Sequence, residues 1–144
     1  MITKFKFFLL VFSTISQLAL SQSSNDMRLK VLISDFPNDR GQCVVNLFVR
    51  GESLKEKPAH QQIAEIQDGN TVVEFELPYG EYAVIAWHDI NSNADLDHNI
   101  FGIPSESLGF SNNWKASLFS GMPTFDKLKF NFSGATSVQR IKIK

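Results

Sequence analysis

Apolar residues in this chain recur with a period of two and show no sustained helical stripe. In TVVEFEL, Val73, Phe75 and Leu77 face one way while Glu74 and Glu76 face the other. RLKVLIS aligns Leu29, Val31 and Ile33, and VQRIKIK aligns Ile141 and Ile143. CVVNLFV reads as a mostly buried strand, KLKFNF buries Leu128, Phe130 and Phe132, and HQQIAEI is a weaker strand suited to an edge. EYAVIAW, Glu81 to Trp87, is apolar on both sides, as a central strand covered twice must be. PNDRGQ and QDGN punctuate the runs with residues that supply turn dihedrals. Seven short strands with turns between them predict one all-β domain, an antiparallel β-sandwich.

The first residues follow a different logic. Lys4 and Lys6 precede a short apolar run, FFLLVFSTI, and Ala19 and Ser21 offer the small residues that a signal peptidase reads. Residues 1–21 are therefore expected to be a cleaved signal peptide, with 22–144 exported to the periplasm or beyond. A membrane span takes roughly 20 apolar residues, more than this run provides. No cysteine follows it to carry a lipid, and Cys43, the single cysteine, has no intrachain partner and suits a buried position. Net charge is −1, but it is unevenly laid out. Pro58 to Trp114 holds nine acids and no Lys or Arg, whereas Lys115 to Lys144 holds six basic residues and one acid. The acidic middle argues against nucleic acid as a partner and favours a cation. The basic end can lie beside acidic strands and pair with them.

Between the fifth and sixth strands, residues 89–126 contain no evident strand. Loops longer than about 12–15 residues are uncommon in compact domains and are usually functional or disordered. This one carries Phe101, Ile103, Phe110, Trp114, Phe119 and Phe125, a content foreign to disordered tracts, and should fold down onto the sandwich.

Two segments resemble known proteins. LPYGEYAV, Leu77 to Val84, resembles the corner of transthyretin-like and carboxypeptidase-regulatory-type sandwiches, and so implies an immunoglobulin-like or transthyretin-like β-sandwich. In that resemblance Tyr82, two residues after Gly80, packs back over the corner with its hydroxyl on backbone. LPYGEYAVIAWHDINSNADLDHNIFGIPSESLGFSNN, with PTFDKLKF after it, resembles the bacterial secreted domain-of-unknown-function family 2141 across the expected mature chain. The resemblance implies export and a β-sandwich, and no activity. Ala94 departs from the glycine common in that family, which puts a left-handed turn there in doubt.

HDINSNADLDHN is the candidate site. With Asp89 as position 1 of an EF-hand loop, Asn91, Asn93, Ala94, Asp95 and Asp97 fall at positions 3, 5, 6, 7 and 9. Position 12 is Ile100 rather than a closing Glu, so Glu106 would have to fold back to close the shell. Calcium takes hard oxygens that alternating short side chains can deliver, and Ca2+ is the expected cofactor. The competing reading is a run of Asx turns with no metal. His88 and His98 lack the spacing of a zinc motif, and His88 suits a hydrogen-bonded structural role. GFSNN falls short of a nucleophile elbow, and no constellation supports an enzyme; a metal-dependent hydrolase is the weakest of three readings. The first is a non-enzymatic module presenting Phe101, Phe110 and Trp114 to a cell-surface glycan or protein. The second is a structural or accessory envelope domain whose rings are core.

Overall fold

The computed structural model describes residues 27–115, 121, 123–135 and 137–144. The expected leader, residues 1–21, and Phe119 lie outside the described residues. Strands β1 (Arg28–Ser34), β2 (Gln42–Val49), β3 (His60–Ala64), β4 (Asn70–Glu76), β5 (Gly80–Asp89), β6 (Leu108–Phe110), β7 (Phe130–Phe132) and β8 (Val138–Lys142) form two sheets. One runs β4-β1-β8 and the other β3-β2-β5-β6, with β7 also paired to β5. The fold is a β-sandwich, as the alternation requires.

The space between the sheets is filled by the residues that the period of two selects. Leu29, Val31 and Ile33 of β1 meet Cys43, Val45, Leu47, Tyr82, Val84 and Ala86 of the facing sheet. Burial pushes the Cys43 thiol up to about 12, so it behaves as a small hydrophobe. Asp68 and Gly69 both take positive φ in the β3–β4 turn, with Asp39 accepting their amides at 2.9 and 2.8 Å. Tyr82 donates its hydroxyl to the Pro78 carbonyl at 2.8 Å, which forms the expected corner.

Three features differ from expectation. The loop contains an eighth strand, β6, invisible as a pattern because LGF is only three residues long and holds a glycine. Lys127 and Leu128 belong to a helical turn, α1 (Phe125–Leu128), not to the strand that follows. That turn brings Leu128 and Phe125 onto the outer face of β5 with Phe48, Ala83, Ile85 and Phe110. The sandwich is also not wholly antiparallel: β8 leaves the β7 side, crosses over and pairs with β1 in parallel, Lys30 beside Val138.

The basic C-terminal residues pair only in part as expected. Lys129 reaches Glu81 at 3.0 Å and Lys142 reaches Asp35 at 3.1 Å. Glu74 and Glu76 on β4 instead meet Arg28 and Lys30 of the neighbouring β1.

β5 explains how the loop is held. One edge of β5 pairs with β2 from Tyr82 to Asp89. The other edge is shared: β7 takes Gly80 to Tyr82, and β6 takes Ile85 to Trp87. Val84 falls in the gap, and Ser111 fills it. The buried Ser111 hydroxyl accepts the Val84 amide at 2.8 Å and lies 2.6 Å from the Leu128 carbonyl, to which it can donate. Ser111→Ala leaves a buried amide unsatisfied, a loss of about 1–3 kcal/mol. Urea unfolding of this variant should show a lower midpoint at unchanged slope; an unaltered midpoint would refute this role.

Candidate acidic loop and cleft

β5 ends on Asp89, whose side chain is fully buried. Three groups satisfy it. Gln42 Nε2 and the Ala94 amide each donate to Oδ2 at 2.8 Å, and the Asn93 amide donates to Oδ1 at 3.3 Å. Charge-assisted bonds of this kind are roughly twice as strong as neutral ones. Gly41 makes room for the turn: a Cβ there would lie 2.1 Å from the Asp89 carbonyl oxygen.

The next residues repeat the device. Asn91 Oδ1 accepts the Asn93 amide at 3.1 Å, and Asn93 Oδ1 accepts the Asp95 amide at 2.8 Å. Ser92 and Ala94 have φ of 60° and 64°, so the chain coils tightly. Ala94 thus takes the left-handed conformation that its lack of glycine made doubtful. Asn91 Nδ2 then donates to Asp97 at 2.6 Å, and Asn93 Nδ2 lies 3.4 Å from both Asp97 oxygens. Glu106 accepts the Asp97 amide at 3.2 Å.

Asp89, Asn91, Asn93, Asp97 and Glu106 are therefore joined in one hydrogen-bonded chain, although Glu106 lies nine residues beyond Asp97. Asp95 joins it through its backbone amide, and its side chain is exposed. Among the described residues, no three His, Cys, Asp or Glu side chains form a metal-holding group. The links between the carboxylates run through asparagine amides and backbone instead. Burial pushes the Glu106 carboxyl up from its ordinary value; the charges of Asp89 and Asp97 add to this, and amide hydrogen bonds from Asp97 and Ile90 oppose it.

His88 stands on the inner side of the same strand end. Its Nε2 meets the Arg40 carbonyl at 2.7 Å and Phe36 packs edge-on against its ring. A carbonyl only accepts, so Nε2 carries the proton. This is the structural histidine expected from its place after Trp87. His98, on the rim, is exposed.

The three proposed ligand-face rings separate. Phe110 is buried and Trp114 packs against it edge-on at 4.8 Å between centroids. Phe101 is 79 % exposed, at the loop tip beside Ile100. Phe110 and Trp114 line a cleft of about 1060 Å³ together with Gly102 and Ile103, the tip residues that follow Phe101. Ile85, Leu108, Glu106, Lys115 and Lys144 are also among its walls. Sequence reasoning did not reach the lysines, which come from distant segments, or Ser111, whose role depends on a gap in strand pairing.

Fold and loop together define a class: a β-sandwich whose central strand opens into an acidic, asparagine-rich loop beside an apolar cleft. Residues 31–140 match the family described as an uncharacterized protein conserved in bacteria, DUF2141. That match covers most of the 144 residues, and the chain belongs to this family. Compared with curated proteins and with solved structures, the chain finds no match. No helix among the described residues is long and apolar enough to cross a membrane.

Two measurements test this description. A non-glycine residue in the left-handed region carries a strain of about 1 kcal/mol, which glycine relieves. Ala94→Gly should accordingly raise the unfolding free energy by about that amount, and a destabilised variant would contradict the observed turn. Glu106 gives a pH signature. A carboxyl with a higher folded than unfolded pKa costs nothing below the unfolded value, near 4.5, and its full cost appears above the folded value. In chelator, Glu106→Gln should be more stable than the parent at neutral pH, the advantage shrinking as pH falls through this range. An advantage that does not vary with pH would rule out this ionisation as its source.

Proposed function

We propose that this protein is an exported, non-enzymatic binding module whose acidic loop is ordered by calcium and forms one wall of a ligand-binding cleft. The observation that carries the reading is the coil at Asp89. Position 1 accepts the amides of positions 5 and 6, position 6 is left-handed, and positions 3 and 5 turn their oxygens inward onto amides. This keeps the side chains in the positional order of an EF-hand loop, with a left-handed residue at position 6. Each asparagine oxygen still has a second lone pair for a cation. Asp97 supplies a carboxylate, Asp95 a backbone carbonyl at position 7, and Glu106 reaches back in place of the missing position 12. The absence of Lys and Arg from Pro58 to Trp114 favours a cation in the same region. Export rests on the leader-like residues 1–21, and the binding role on the apolar cleft beside the loop.

One observation favours a second reading. The asparagine Nδ2 groups already satisfy Asp97, so a cation would have to displace them. In that case the loop is complete without metal and the domain is an accessory of the cell envelope.

Thermal unfolding in calcium and in chelator decides between them. A cation at a hundred times its dissociation constant that binds only the folded chain adds about 2.7 kcal/mol. For a domain of this size that corresponds to a rise in Tm of about 10 °C. Extracellular calcium modules bind at roughly 0.1–1 mM, so the titration must extend well into millimolar calcium. Asp97→Ala should abolish the rise. An identical Tm in both conditions throughout this range would leave the metal-free reading standing.

A further inference from the structure

The tip of the loop is closed by hydrogen bonds of its own and presents its apolar side chains outward. Asn99 Oδ1 accepts the amides of Phe101 and Ile103 at 2.9 and 3.1 Å. The Asn99 carbonyl accepts Gly102 N–H at 2.9 Å, and the Asn99 amide donates to the Ile103 carbonyl at 2.9 Å. With four of its five amides bonded within it, the turn leaves Ile100 93 % and Phe101 79 % exposed. The loop behind them holds Asp95, Asp97 and His98 and no Lys or Arg. An apolar tip on an acidic base calls for an apolar socket with a basic rim.

The same chain carries such a socket. The cleft walls include Ile85, Leu108, Phe110 and Trp114, and of the charged residues that line it Lys115 and Lys144 outnumber Glu106 even without Lys142. Among the described residues neither lysine is in a salt bridge, whereas Lys142 is paired with Asp35. Gly102 and Ile103 form part of the cleft wall, so tip and socket lie side by side. Self-complementary neighbouring features are what a two-fold interface needs, because each copy can give its tip and receive the other's.

We propose that the cleft receives the loop tip of a second copy of this chain. Phe101 of each copy enters the other's cleft, and the acidic loops face the Lys115 and Lys144 rims. This deepens the reading of the cleft as a binding site and does not need the cation. A lipid surface fits less well, because an acidic base opposes approach to an anionic bilayer. The contact is small, which makes the dimer weak and reversible.

Sedimentation velocity of the full domain, from low micromolar to millimolar protein and with calcium or chelator, tests it. The expected result is a monomer–dimer equilibrium that weakens as salt rises. Phe101→Ser should raise the dissociation constant by at least about tenfold, with Tm little changed because the ring is exposed in the monomer. Lys115→Glu combined with Lys144→Glu should weaken it too. A monomer at every concentration overturns the proposal, as does a dimer indifferent to Phe101→Ser. Flotation of a monomeric chain with phosphatidylglycerol vesicles, lost in Phe101→Ser, would overturn it in favour of a lipid surface. A monomer that still shows the calcium-dependent Tm leaves the functional reading intact and removes only this partner.

Discussion

The shared edge of β5 is the constraint on which the rest of the structure depends. A strand apolar on both faces must be covered twice, and a strand inside a sheet must be paired along both edges. No single strand does this for β5. Two three-residue strands from distant parts of the chain divide the task, and a serine hydroxyl bridges the gap between them. The long loop is therefore structural before it is functional. Its GFS segment supplies the β6 edge and the Ser111 bridge, and Phe110 and Trp114 roof the outer face.

Much of this was legible from the residues. The inward positions of β1 and β4 follow from alternation alone, because one face is buried and a shift of one residue would invert it. The Tyr82 corner came from a resemblance and its hydroxyl lies where that resemblance implies. β6 was not legible, since three residues carry no period and its pairing with β5 is long-range. The parallel β1–β8 pair was not legible either, because strand order depends on which sheet a connection crosses to. Lys127 and Leu128 look like strand residues because alternation over two or three positions does not distinguish a strand from one helical turn.

The acidic loop shows a similar division. Spacing identified Asp89, Asn91, Asn93 and Asp97 as a group, and composition marked the region as cation-favouring. What spacing could not give is the burial of Asp89 or the left-handed turn at Ala94, which the carboxylate helps to hold through the amides it accepts. A residue outside its preferred dihedrals persists when its surroundings over-determine it. Here a buried carboxylate, a glycine that makes room and two Asx turns together do so.

The closing of the sandwich has a consequence for the order of assembly. β6 is fastened on its far side by a reciprocal pair of backbone bonds, Leu108 with Lys144, while Gly109 lies against Ile141. The segment that fixes the C-terminal end of the acidic loop is thus locked by the last strand in chain order. Such a contact spans a long stretch of sequence, and its loop-closure entropy must be met before it is rewarded. A chain folding as it emerges from its N-terminus would have both sheets begun and its acidic loop still open. The β6 edge and the cleft beside it are therefore completed only when the C-terminal segment docks, whereas the coil at Asp89 is held by local bonds of its own.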